Sequence, residues 1–306
     1  MCRFFINGIS PKTIMHSVVP TLMNQNPETT NRKPETIDQK PLTLGFSPCP
    51  NDTFIFNALV HGAVRIPGYE VREQLHDVET LNRMAFAGEL DVTKLSFFAW
   101  LKVQSQYELI SSGGALGFGC GPVVIARRTI DAREMSRCRV VLPGEWTTAH
   151  LLFRLWAPQA GQRVFAPYDR IFETVSSGGA DCGVIIHESR FTFREMGYVQ
   201  IMDLGAWWEE QTGLPIPLGC IGVHKRLGRD TALAVESAIR RSIGLARQDP
   251  SGTLPYIRTH AQEMTAEVLD AHIHTFVNQF SVDLGTLGRD AVHSLEEKAR
   301  QNGVIS

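Results

Sequence analysis

The residue of this chain best suited to move a proton is His187, which follows the apolar run Val184-Ile185-Ile186 and precedes Glu188, Ser189 and Arg190. An imidazole titrates near pH ~6.5 when unperturbed, so it takes up or returns a proton at neutral pH. A general base at a strand end is one reading; a hydrogen-bonded structural histidine beside Arg190 is the other, and position alone does not separate them. Three more segments carry polar side chains to where ligands bind in open α/β sheets, beyond the carboxyl ends of strands. Segment 47–53, with Ser47, Asn51 and Asp52, and the run Thr147-Thr148-Ala149 each place hydroxyls and backbone N–H groups at a predicted helix start. Lys94-Leu95-Ser96 ends a predicted strand with a cation and a hydroxyl. Helix starts favour a carboxylate by ~0.3–1 kcal/mol each. Singly, each start reads as plain capping; converging, the two point to a small anionic ligand. Asp203, Glu209 and Glu210 are further titratable candidates, and Trp207-Trp208 reads as packing, with stacking on a flat substrate as the alternative.

The elements that must position these residues follow from periodicity. Residues 42–46 alternate at period two and predict a strand, which Ser47-Pro48-Cys49-Pro50 ends. Asn51 or Asp52 is expected to cap a helix over 53–60 that stops near Gly62. A strand region over 64–75, bent at Pro67-Gly68, leads to Asp77, which opens a helix with Val78, Leu81, Met84 and Ala85 on its apolar side. Residues 90–96 then predict a third strand. The same grammar recurs from Arg139: a strand over 139–142, Thr147 as N-cap, a helix carrying Leu151, Leu152 and Leu155, a helix over 168–175, and a buried strand over 181–186. Helices over 230–248, 266–280 and 286–300 close the chain. Two glycine-rich stretches, 111–122 and 213–222, flank the second unit and predict paired crossovers between two lobes around a cleft that a hinge closes. The expected fold class is thus α/β, with lobe 1 from 41–124 and 223–306 and lobe 2 from 125–222. Residues 1–40, rich in Pro, Asn and Thr and without periodicity, are expected to be a disordered extension outside the fold.

Composition narrows the function classes. With 306 residues, 30 Lys and Arg against 32 Asp and Glu, and a net charge of −2, the chain lacks the basic footprint of a nucleic-acid binder. No apolar run approaches the ~18–20 residues that span a bilayer. Of the six cysteines the nearest pair is Cys120 and Cys138, so there is no CxxC site, and His272-Ile273-His274 does not make an HExxH. No glycine-rich phosphate loop stands between a strand and a helix. A reduced, cytoplasmic, metal-free protein without an export signal is expected; the sequence does not set the oligomeric state, and a homodimer stays among the expectations.

Several motifs then carry a family resemblance. Ser47-Pro48-Cys49-Pro50-Asn51-Asp52-Thr53-Phe54, Thr93-Lys94-Leu95-Ser96, Gly113-Gly114-Ala115-Leu116-Gly117 and Ile185-Ile186-His187-Glu188-Ser189-Arg190-Phe191-Thr192 resemble the 1,4-dihydroxy-6-naphthoate synthase family of the futalosine route to menaquinone. So do Asp203-Leu204-Gly205-Ala206-Trp207-Trp208-Glu209 and Gly213-Leu214-Pro215-Ile216-Pro217-Leu218-Gly219, and the resemblance runs from about Leu42 to the C-terminus. It implies a two-lobed fold of the type II periplasmic-binding-protein kind. It implies a carbon–carbon lyase that converts cyclic dehypoxanthine futalosine to 1,4-dihydroxy-6-naphthoate without cofactor or metal. His187 would be the base, with substrate contacts at Lys94, Leu95, Ser96, Thr147, Thr148 and Ala149. Chorismate dehydratase of the same pathway, and a solute receptor for a small carboxylate, are the alternatives.

Overall fold

Strand β1, Lys40–Phe46, buries Leu42, Leu44 and Phe46 on the core side of its alternation. It lies between β2, Tyr69–Leu75, and β3, Val92–Ser96, parallel to both, with helices α1 (Pro50–Val60) and α2 (Val78–Phe86) as the crossovers. The computed structural model describes residues 39–261 and 265–305, and the expected extension over 1–40 lies almost wholly outside them. Helix α1 starts at Pro50 with Cys49 as its cap, not at Asn51 or Asp52. Proline at the first helical position is pre-set for the helix and needs no N–H there, which moves the start upstream. Asp77 caps α2 by accepting from the N–H groups of Glu79 and Thr80, as its position predicts.

After α3 (Phe97–Val103), β4 (Tyr107–Leu109) and β5 (Ala115–Gly117), the chain enters a second sheet through β6, Val123–Ala126. That sheet has the order β10-β6-β9-β7-β8, from β7 (Arg139–Leu142), β8 (Gln162–Phe165), β9 (Cys182–Ile185) and β10 (Val199–Asp203). Helices α4 (Thr148–Trp156), α5 (Ile171–Ser176), α6 (Ser189–Thr192) and α7 (Leu204–Thr212) belong to this half. Strand β11, Ile216–His224, returns to the first sheet, whose order is β2-β1-β3-β11-β4 with β5 on β11. Each sheet therefore holds three parallel strands followed by an antiparallel strand on β3 or β9. The two glycine-rich stretches meet: β5 pairs antiparallel with β11, Ala115 facing Gly219. The expected limits at 124/125 and 222/223 cut through β6 and β11; the sheets exchange the chain between β5 and β6 and between β10 and β11.

Helices α8 (Arg229–Gln248), α9 (Pro250–His260), α10 (Ala266–Phe276), α11 (Gln279–Val282) and α12 (Gly285–Gln301) finish the chain. The helix expected over 266–280 is two, because Asn278 leaves helical geometry and caps α11. An apolar core of Ile55, Leu59, Ile239, Ile243 and Ile257 fixes α1 against α8 and α9. A second core is shared by both sheets, running from Phe97 and Phe98 of α3 through Leu152 of α4 to Trp208 of α7 and Val140 of β7. No helix among the described residues is long and apolar enough to cross a membrane.

Candidate active site

Ser47, Asn51, Asp52, Lys94, Ser96, Thr147, Thr148, Ala149 and His187 all line one cavity of about 100 Å³. Its far wall is Ala115, Gly121, Pro122, Leu218 and Gly219, from the crossovers, with Phe276 of α10. Leu95 is not on the lining. In β3 side chains alternate, so Lys94 and Ser96 turn to the cavity while Leu95 is fully buried in the core. The cavity thus collects the first turns of α1 and α4 and the N-cap of α3, Ser96, on one small volume. The N–H groups of Asp52, Thr53, Phe98 and His150 already have acceptors, so a carboxylate here would draw on the remaining helix-start N–H groups.

His187 stands where β9 has ended and α6 has not begun, with φ +57°. Left-handed backbone is uncommon outside glycine, although histidine, like asparagine and aspartate, adopts it more readily than most residues. The ring is clamped: Tyr168 meets it edge to face at 5.2 Å between centroids, and His272 stacks at 6.4 Å with 16° between planes. Cys49 Sγ is 3.6 Å from Nδ1 and 4.0 Å from Nε2. Burial pulls the His187 pKa down, but the Cys49 sulfur, Glu188 and Asp52 outweigh it and lift it to about 9. That lift depends on negative charge at the sulfur; beside a neutral thiol, burial favours the unprotonated ring, which is the form that can act as a base.

Behind the ring runs a buried polar chain. His272 Nε2 lies 3.0 Å from Asn51 Oδ1, so the donor is on Nε2, and Asn51 Nδ2 donates to Asp52 Oδ1 at 2.8 Å. Burial, with His187 and Lys94 nearby, pushes the His272 pKa down to about 3, so this second histidine is neutral. Lys94 Nζ donates to the same Asp52 oxygen at 2.8 Å and to Gly113 O at 3.3 Å, and Ser47 donates to the other oxygen at 2.7 Å. The one lysine on the lining is therefore already matched by a carboxylate.

The two hydroxyls differ in what they offer. Asn82, fully buried on α2, accepts from Ser96 N–H at 2.9 Å and donates to Ser96 Oγ at 3.1 Å. Ser96 keeps its own proton for the cavity. Thr148 donates to Leu218 O at 2.7 Å and accepts from Phe98 N–H at 3.4 Å, which leaves one lone pair of its oxygen as an acceptor. Thr147 caps α4, accepting from His150 N–H, as expected.

Other candidates stand elsewhere. Arg190 pairs with Asp203 at 2.6 Å and donates to the carbonyls of Gly119 and Gly121, while Asp203 also caps α7. Glu209 accepts from Gly119 N–H at 2.7 Å, Glu210 is exposed, and Trp208 is fully buried with its indole N–H on Pro215 O. Cys49, Asn82, Tyr168 and His272 were not singled out by pattern. Asn82 left one signal, a polar residue on the buried face of α2 beside Leu81 and Ala85.

Comparison with known proteins agrees over the whole described fold. A family model described as menaquinone biosynthesis matches residues 42–301. A curated 1,4-dihydroxy-6-naphthoate synthase of Thermus thermophilus is 51% identical over 263 residues, 86% of this chain and 95% of that protein. Another from Streptomyces coelicolor is 42% identical over 268 residues, 86% of this chain and 94% of that protein. Among solved structures, protein AF1704 from Archaeoglobus fulgidus superposes with a TM-score of 0.82 at 31% identity, covering 87% of this chain and 98% of that one. A Candida albicans protein described as having the generic periplasmic-binding-protein fold gives 0.67 at 13% identity, over 87% of this chain and 91% of that one, a likeness of fold alone. The chain has the two-lobed architecture of that fold, and it belongs to the menaquinone-biosynthesis family, with two curated 1,4-dihydroxy-6-naphthoate synthases among its relatives.

Proposed function

We propose that this protein converts cyclic dehypoxanthine futalosine to 1,4-dihydroxy-6-naphthoate, as a carbon–carbon lyase that draws on no cofactor, with His187 as general base. The observation that carries the reading is the left-handed backbone at His187, which turns its ring into the cavity lined by Ser96 and Thr148. His187 takes a proton from the sugar-derived part of the substrate; carbon–carbon cleavage then expels the sugar fragment, and aromatisation of the remaining ring drives the step. Ser96 donates to a substrate oxygen, Thr148 accepts from a substrate hydroxyl, and the starts of α1 and α4 hold the ring carboxylate. Lys94 keeps Asp52 in place rather than supplying a net charge. Lobe 1 is the first sheet with α1–α3 and α8–α12, and lobe 2 is the second sheet with α4–α7. The five described cysteines are free thiols, which suits a reducing, cytoplasmic setting.

The purified protein is to be incubated with the cyclic substrate and, separately, with chorismate, each product being sought by mass spectrometry. Formation of the dihydroxynaphthoate is expected; dehydration of chorismate, or stoichiometric binding without product, overturns the reading. Asparagine tolerates left-handed backbone, so His187→Asn keeps the local fold. It should bind substrate but turn over ~10²–10⁴-fold more slowly, the usual worth of a general base. A wild-type rate in that variant removes His187 from the chemistry.

A further inference from the structure

We propose that the cleft between α9 and α10 is a second ligand site, one that takes an apolar molecule bearing a single carboxylate. It shares no lining residue with the cavity at His187, so the proposal stands apart from the reading of that histidine as a base.

The cleft arises from how the last helices join. Asp249 ends α8 and caps α9 by accepting from Gly252 N–H, so a single residue links the two helices. Pro250 follows at the first helical position, which needs no N–H. Helices α9 and α10 then pack on α1 rather than on each other. The space left there is about 550 Å³, against about 100 Å³ at His187. That lies within the ~300–1,000 Å³ of sites that bury a small molecule. Phe54, Leu269 and Val277, each under a tenth exposed, line it together with half-buried Leu254 and Ile273. A hydrocarbon body set against these side chains removes apolar surface from water on both partners.

The polar groups say what charge such a ligand carries. Arg247 donates to the carbonyls of Val277 and Asn278 at 3.3 and 2.9 Å, which fixes its guanidinium without cancelling the charge. Arg258, exposed on the lining, has neither a hydrogen bond nor an ion pair among the described residues. The one carboxylate on the lining, Asp270, stands 3.2 Å from His274. With histidine counted neutral, two guanidiniums against one carboxylate leave the cleft one positive charge in excess, which matches a monoanion. A guanidinium only donates, and its planar fork fits both oxygens of a carboxylate. The hydroxyls are spent locally, Ser251 on Asp249 and Thr253 on Pro250 O, so little remains to read a sugar or another polyol. An alkyl carboxylate and an aromatic one, such as the naphthoate of the proposed reaction, share this chemistry.

Calorimetric titration of the full chain with dodecanoate and with 2-naphthoate separates the two sources. At least one acid should bind, and whichever binds names the alkyl or the aromatic class. Arg258→Ala should weaken that binding about tenfold, the usual worth of a charge-assisted hydrogen bond. Ile273→Trp, whose indole occupies the cleft, should weaken it at least as much. Turnover should stay at the wild-type rate in Arg258→Ala, since the residue is outside the cavity at His187. Dodecanol binding as tightly as dodecanoate overturns the carboxylate assignment. Absence of binding by both acids, or binding of wild-type strength in both variants, overturns the site. None of these outcomes bears on whether the cyclic substrate is turned over, so failure here and failure of the proposed function are read separately.

Discussion

Ser96 shows how a single side chain out of reach of the substrate can set what a catalytic group offers. Asn82 occupies the Ser96 N–H and one lone pair of its hydroxyl, leaving the hydroxyl proton for the cavity, and its amide also donates to Trp146 O at 3.3 Å on the opposite lobe. Asn82→Ala deletes both contacts and leaves a buried N–H unpaired, a loss of ~1–3 kcal/mol. Ser96 is then free to rotate, so kcat should fall about ten- to a hundred-fold while KM changes less, since the cavity walls stay. Asn82→Asp keeps the acceptor for Ser96 N–H but presents an oxygen where the amide donated, and should not restore the rate. Steady-state kinetics on both variants decide; a rise in KM alone would mean that Asn82 only shapes the walls. The polar candidates at helix starts and strand ends were legible in the sequence because local rules put them there. Cys49 and His272 were not, because each meets a residue far along the chain: Cys49 and His187 are 138 positions apart, Asn51 and His272 are 221; Asn82, only 14 positions from Ser96, left just the sign of a polar residue on a buried helix face.

At the scale of elements, the turn into α7 illustrates a restraint that no side chain reveals. A methyl carbon on Gly205 would lie 1.7 Å from the Cys120 carbonyl oxygen, so only glycine lets the start of α7 approach the crossover that carries Gly121 and Pro122 to the cavity. Arg190, bound to Asp203 and to the Gly119 and Gly121 carbonyls, ties the same knot from α6. Gly205→Ala must push the crossover away and should cost at least the ~1–3 kcal/mol of an overpacked site, seen as a lower Tm together with a loss of turnover. Gly244→Ala, inside α8 with open space around it, should gain ~0.5–1 kcal/mol and serves as the control. Equal Tm changes of the same sign would refute the steric account. Periodicity gave β1, β3, β7, α8 and α12 within a few residues, and Asp77 and Thr147 marked the starts of α2 and α4, whereas the strand expected over 64–75 begins only at Tyr69, where little of β2 is buried. Helix α9 was missed because Pro250, Gly252 and Pro255 read as breakers, although Pro250 stands at a helix start where proline is tolerated. Strands β8 and β10, short and half exposed on the two edges of the second sheet, offer little burial pattern to read.

For the whole molecule the question is how a substrate enters the cavity. The cavity of about 100 Å³ is below the ~300–1,000 Å³ of pockets that hold drug-sized ligands, so a ligand of that size needs its walls to move apart. One side of the interface is the continuous core through α3, α4 and α7, which is unsuited to parting. The other side is mixed: Glu79 accepts from Trp146 N–H at 3.0 Å and Arg83 reaches Glu145 at 3.4 Å, while the Phe86 and Trp146 rings meet edge to face at 4.9 Å. Burial raises the Glu79 pKa despite the Trp146 N–H and Arg83, so its carboxylate pays for the closed state and regains water on opening. The sign follows: the closed form binds the Glu79 proton more tightly than the open form, so closure strengthens as pH falls from neutral toward the carboxylate range. Glu79→Ala removes the acceptor, and Gly144→Ala forces the latch apart from the other side, where a methyl carbon would lie 2.5 Å from Glu79 Oε2. Each should raise KM about tenfold, the worth of a hydrogen bond of ~1–1.5 kcal/mol, with a smaller change in kcat and a larger radius of gyration by small-angle scattering. Because both act on one contact, the double variant should be no worse than either single one. Additive losses would show that the two residues hold the lobes separately, and an unchanged KM in both would show that the mouth of the cavity lies elsewhere.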